Sequence, residues 1–257
     1  MATEPQQPRS LEEIYALIDS NRVEAARAAQ GKFHNDMEAA IATIASIGSV
    51  AGARVLADSR VASANVLINA ELVATRLLAE AEVQASKCAS EALTKPREVV
   101  QSALLEIGKY TTARLIASAK ESVGKIQQDA EAAIKVLQET GAIAIREIQA
   151  LAADVTKQTI RDAELAAKKL KEYRKRGRTP ENATSDGEDA ATIVINAARE
   201  ASLRLQDATK ATLARINAIT NEACAIVRES ALAAETKIQQ GHDRALARLK
   251  GALQAFL

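Results

Sequence analysis

Apolar residues recur every eleven positions along most of this chain. Phe33, Ile44, Val55, Val66, Leu77, Cys88, Val99 and Tyr110 form one series, and Leu93, Leu104, Leu115, Ile126, Leu137 and Ile148 form a second. A third runs through Val50, Val61, Leu72 and Val83, and the same step returns near the C-terminus in Val194, Leu205, Ile216, Val227, Ile238 and Leu249. Eleven residues in three turns is about 3.67 per turn, slightly above the relaxed helix, so the pattern predicts long helices in right-handed, nearly straight coiled-coil packing.

Polar positions keep the same period. Arg54, Asn65, Arg76, Lys87, Glu98, Lys109, Lys120 and Glu131 share one wheel position, with Asp58, Asn69, Glu80 and Glu91 beside them. In the second helical region Gln206, Asn217, Arg228, Gln239 and Lys250 repeat it. This polar stripe covers only about a quarter to a third of the circumference, and the rest is Leu, Ile, Val, Ala, Ser and Gly. Such a helix needs neighbours on at least two sides, which is wider than the seam of a two-stranded coil. The fold expected is all-α: very long alanine-rich helices in a helical hairpin that assembles into a multi-helix bundle or filament.

Breakers and caps divide the chain. Residues 1–9, with Pro5 and Pro8, read as disordered, and Ser10 with Glu13 forms a capping-box signal for a short helix over 10–31. Gly31 then separates it from helix 1, residues 32–176. Pro96 lies inside that span, where proline ordinarily kinks or ends a helix. The eleven-residue phase passes from Cys88 to Val99 and from Leu93 to Leu104, so a kinked continuous helix is expected in preference to a hairpin there. The run "KKLKEYRKRGRTPENATSDGED" is read as the end of helix 1, a linker over 177–185, and a start of helix 2 over 186–257 capped by Ser185 and Glu188.

A continuous helix 1 is about twice the length of helix 2, so residues from about 33 to 100 have no partner within the chain on this reading. Exposed apolar surface of that extent marks association, and a subunit whose overhang is covered by the next copy propagates head to tail. The expected assembly interface comprises Val55, Val66, Leu72, Leu77, Val83, Leu104, Leu115, Ile126, Leu137, Ile148, Val194, Leu205, Ile216, Val227, Ile238 and Leu249. The function expected is a non-enzymatic structural protein whose partner is itself. Two other readings stand beside it: a rod-like scaffold or stalk in a hetero-complex, and an amphipathic coat on a lipid or storage-granule surface.

Composition agrees with long helices. Aromatics make up 2% of the 257 residues, Trp is absent, and alanine fills about a fifth of positions. A net charge of +1 gives no global pull toward nucleic acid or anionic lipid. The basic run from Lys168 through Lys169, Lys171, Arg174, Lys175 and Arg176 to Arg178 is explained by its place at a helix C-terminus.

Chemistry is sparse. Cys88 and Cys224 fall in apolar patterns and read as small buried hydrophobes, whereas His34 and His242 read as solvated surface residues. There is no phosphate loop or nucleophile motif, and no catalytic, cofactor or metal residue is assigned. Gly48 and Gly52 in "GSVAG" have the spacing that lets helices approach closely. The N-terminus lacks the pattern of a signal peptide, and the uncharged run Ala39 to Ala53 is too short to span a bilayer. A cytoplasmic location is the default expectation, with signal-less export to a surface fibre left open.

Overall fold

The computed structural model describes residues 10–20, 22–94, 97–172 and 184–255. Four helices follow one another: α1 (Leu11–Ser20), α2 (Arg22–Thr94), α3 (Arg97–Glu172) and α4 (Thr184–Gln254). They pack as an all-α helical bundle. The chain divides into two compact units, one of Met1–Gly52 with Gly141–Ala218 and one of Ala53–Thr140 with Ile219–Leu257.

The second unit shows why the helices fold back. Its core joins Val55, Val66 and Leu77 of α2 to Leu115, Ile126 and Leu137 of α3 and to Val227, Ile238 and Leu249 of α4. Val55 and Leu137 lie 41 residues either side of Pro96, Val66 and Ile126 lie 30 either side, and Leu77 and Leu115 lie 19 either side. That numbering is the register of an antiparallel hairpin centred on the proline. Between α2 and α3 the Arg114 Nε stands 2.7 Å from Glu80 Oε1. In a continuous helix, residues 34 apart are about 50 Å apart.

The expectation of a single helix over 32–176 is therefore corrected to two antiparallel helices. The unbroken phase at Pro96 misled because it merged two series. On α2 the buried row is Val55, Val66, Leu77 and Cys88; on α3 it is Leu104, Leu115, Ile126 and Leu137. The step from Cys88 to Leu104 is sixteen residues, and the first series carried past the proline reaches Tyr110, which is 69% exposed. Proline removes a helical hydrogen bond and clashes with the preceding turn, which disfavours a continuous helix through Pro96.

α4 runs parallel to α2 in this unit. Lys237 Nζ hydrogen-bonds Glu71 Oε1 at 2.8 Å, and Arg248 Nη2 lies 3.4 Å from Glu82. The advance of eleven along α2 matches an advance of eleven along α4. Ser63 and Ser230 share a hydroxyl hydrogen bond on the same side. Close approach is set at Gly241, where an added Cβ lies 2.8 Å from the Ala74 Cα.

In the first unit, α1 joins the bundle. The Ser10 N–H donates to Glu13 Oε2 at 2.9 Å and the Glu13 N–H donates to Ser10 Oγ at 3.2 Å, so the reciprocal box satisfies two donors that the helix start leaves open. α1 then buries Ile14 against Ala26, Phe33, Ala167, Leu170 and Val194. The Lys169 ammonium sits 3.4 Å from the centroid of the Tyr15 ring, tying α1 to α3. Burial and then the nearby Asp162 carboxylate hold the Tyr15 hydroxyl above its ordinary pKa.

Gly31 does not separate two helices; α2 begins at Arg22 and passes through it. A glycine inside a helix costs about 1 kcal/mol, a cost outweighed by Ala25, Ala26, Ala29 and Phe33 in the core on either side. Further along, Met37 and Ile44 meet Ile148, Leu205 and Ile216. The expected close approach at Gly48 is present: an added Cβ lies 2.4 Å from Thr212 Cγ2 of α4. Residues 1–9, most of the 177–185 linker and the side chains of Ser185 and Glu188 lie outside the described residues.

Candidate assembly surface

Fourteen of the sixteen residues expected at an intermolecular interface are buried in the chain's own core. Val55, Val66, Leu77, Leu104, Leu115, Ile126, Leu137, Ile148, Val194, Leu205, Ile216, Val227, Ile238 and Leu249 are all below a few per cent exposed. Their assignment to contacts between copies is corrected: α3 folds back along α2, so the partnerless overhang does not exist and these side chains already have cover.

Leu72 and Val83 behave differently. They point away from the bundle with Val61 and Ile68, at 64%, 54%, 61% and 53% exposure respectively. The spacing explains why. Residues at 55, 66 and 77 and four further on, at 59, 70 and 81, form the buried row of α2, and Val61, Leu72 and Val83 lie across the helix from it. All of these sit in the second unit, on one helix. Scattered exposed apolar side chains are ordinary, but four large ones aligned on one face form a ridge.

Both flanks of the ridge carry charge, one of them behind a row of small residues. On one side stand Arg54, Asn65, Arg76 and Lys87, followed by Asp58 and Asn69; on the other stand the small residues Ala57, Ala64, Thr75, Ala79 and Ser86, followed by the exposed Arg60, Glu71 and Glu82. Small side chains on that flank let another backbone approach closely. Arg54 lies 3.9 Å from Asp58, a loose pair of the kind expected along a solvated helix. Glu80 instead reaches across to Arg114.

A second surface lies in the first unit, between α3 and α4. It is an open groove of about 720 Å³ whose lining includes Ala152, Ala153, Ile160 and Leu213 together with Lys157, Arg161 and Lys210.

Cys88 and Cys224 are buried free thiols, as the apolar pattern implies, and burial followed by the Glu91 charge pushes the Cys88 thiol up. His34 is exposed, but His242 is buried, contrary to its reading as a surface residue. It stands on α4 four residues after Ile238 and three before Ala245, both buried, and so shares their inward face. Its Nδ1 is 3.3 Å from Asp243 Oδ1, and its Nε2 has no hydrogen-bond partner among the described residues. No group of three His, Cys, Asp or Glu side chains among the described residues is placed to hold a metal ion.

Sequence reasoning missed that the core series and the exposed series differ in kind. The signal was available in their neighbours: four residues after Val55, Val66 and Leu77 come Ser59, Ala70 and Ala81, but four after Val61, Leu72 and Val83 come Asn65, Arg76 and Lys87.

Neither a protein-family model nor a curated protein matches the chain. Among solved structures it is similar to a computationally designed three-helix bundle, with a TM-score of 0.63 and 13% identity, over 95% of this chain and 99% of that one. At that identity the likeness shows the fold alone.

Proposed function

We propose that this chain is a non-enzymatic structural protein that associates with further copies of itself, through the exposed face of α2, into an extended helical bundle or fibre. The observation that carries the reading is the ridge of Val61, Ile68, Leu72 and Val83, four large apolar side chains more than half exposed on one helix. Covering such side chains contributes about 25 cal/mol per Å² of apolar area removed from water, and the small residues beside them permit close packing. The contact is lateral, between folded bundles. It does not need an overhang.

Sedimentation velocity of the full chain across a concentration series tests this. Species heavier than the 27.3 kDa monomer, increasing with concentration, are expected. A monomer at every concentration at physiological salt contradicts the proposal.

A coat on a lipid or granule surface is the second reading, because α2 contains an 18-residue window of mean hydropathy 1.6 that is only 33% buried. The shortage of aromatic anchors and the mixed charges beside the ridge weigh against it. Flotation with liposomes separates the two: binding to vesicles by a chain that stays monomeric in solution favours the coat.

A further inference from the structure

We infer that the surface a second copy presents to the α2 ridge is its groove between α3 and α4, so that the ridge of one copy lies in the groove of the next. This rests on the self-association proposed above and adds the partner surface. The two surfaces have complementary shapes. Val61, Ile68, Leu72 and Val83 stand out from α2 in the second unit, and in the first unit Ala152, Ala153, Ile160 and Leu213 are among the residues lining an open groove of about 720 Å³. A projecting row of side chains packs closely into a depression between two helices, whereas two projecting rows set face to face leave gaps. Ridge against ridge also leaves the groove uncovered. A ridge in a groove covers both apolar surfaces with one contact.

Length and lining agree with this. Ile68 and Val83 are fifteen residues apart, as are Gln149 and Glu164 on the α3 side of the groove, and each interval is about 22 Å of helix. The small side chains of Ala152 and Ala153 leave room for a large one such as Leu72. Thr209, also in the lining, is buried and donates its hydroxyl hydrogen to the Leu205 carbonyl at 2.7 Å, so an apolar occupant leaves that donor satisfied. The groove lining holds Lys157, Arg161 and Lys210 against Glu164, and the α2 stretch from Ile68 to Val83 holds Glu71, Glu80 and Glu82 against Arg76. Glu80 is committed to Arg114, whereas the Glu71 and Glu82 side chains meet cations of α4 and are still 69% and 58% exposed. Lys210 lies 3.5 Å from Asp207 in an equally open pair. Such solvated charges steer the approach, and apolar packing sets the affinity.

The contact joins two different surfaces. A copy that has docked its ridge still offers its groove, so copies add head to tail, and the row grows into a fibre unless it returns on itself as a ring.

One variant on each surface tests the pairing. Leu72→Glu spoils the ridge and keeps the groove, and Ala153→Glu, at an exposed position, spoils the groove and keeps the ridge. In sedimentation velocity each variant alone is expected to self-associate about tenfold or more weakly than the wild type. Their equimolar mixture is expected to regain about the wild-type affinity and to stop at a one-to-one complex, because one intact ridge meets one intact groove. Ile160→Glu in place of Ala153→Glu is expected to give the same result.

The outcomes separate the two claims. If the wild type self-associates and Ala153→Glu and Ile160→Glu assemble as it does, or if the mixture stays as dissociated as its components, ridge-in-groove pairing is overturned and self-association stands. If the wild type does not self-associate, both fall. Thermal unfolding followed by circular dichroism confirms that each variant is folded.

Discussion

Cys88 and Leu104 lie in one core cluster, eight residues on either side of Pro96. Their contact records the turn that converts a long helical sequence into an antiparallel pair, and it sets which rows face inward. From it follows a sharp distinction between Leu115 and Leu72. Both were expected in one interface, yet Leu115 is fully buried against α2 and α4, and Leu72 stands on the ridge.

Leu115→Ala is accordingly expected to destabilise the fold by about 2–5 kcal/mol through lost burial and a cavity. Leu115→Glu leaves a charge without a partner in the core and is expected to unfold the second unit. Chemical denaturation monitored by circular dichroism measures both. A Leu115→Ala change within about 0.5 kcal/mol of the wild type would deny Leu115 its place in the core.

Glycines at different positions should respond in opposite directions. At Gly241 an added methyl group meets the Ala74 backbone, which cannot rotate away, and at Gly124 nothing lies within 4 Å. Gly241→Ala is expected to cost about 1–3 kcal/mol by overpacking, despite the better helix propensity of alanine. Gly124→Ala is expected to gain about 0.5–1 kcal/mol. Melting temperatures of the two variants shifting in the same direction would contradict the close approach of α4 to α2.

Glu71 provides a pH-dependent marker of the same helix pair. The hydrogen bond and then the charge of Lys237 hold its carboxyl below the usual range. Because the folded value is the depressed one, the stabilising effect is present above the unfolded carboxylate pKa of about 4.3 and is lost as pH falls through the folded value. Carboxyl-carbon NMR titration should place Glu71 below an unperturbed glutamate, and Lys237→Ala should move it back up. An unchanged titration in that variant removes the pairing.

His242 carries a buried ring nitrogen with no partner among the described residues. A buried polar atom left unsatisfied costs about 1–3 kcal/mol, so His242→Leu, similar in size and apolar, is expected to raise stability by about 1 kcal/mol or more. Thermal melts at fixed pH test this. A loss of stability would mean that the ring makes a polar contact which the leucine forfeits.

Much of the architecture was readable from residues alone. The scarcity of aromatics, the alanine content and the eleven-residue step indicated a helical bundle, and Ser10 with Glu13 marked a helix start whose reciprocal bonds are present. What could not be read was which apolar row faced inward. Packing decides that: Val55 and Val61 are the same residue type on one helix, and only the placement of α3 and α4 buries the first and leaves the second exposed. The reversal of direction from α2 to α3 was obscured for a related reason, since two rows overlap in the sequence there and one takes over from the other. Candidate surface residues shared this fate, with Leu72 and Val83 alone of the expected set remaining accessible.

The most direct test of self-association through α2 compares sedimentation velocity of the wild type, Leu72→Glu and Val136→Glu. Val136 is an exposed apolar residue of α3, at 55%, and controls for surface charge added elsewhere. The account predicts that Leu72→Glu remains folded and sediments as a monomer of about 27.3 kDa, while Val136→Glu assembles like the wild type. Assemblies that persist in folded Leu72→Glu at wild-type concentration dependence would contradict it.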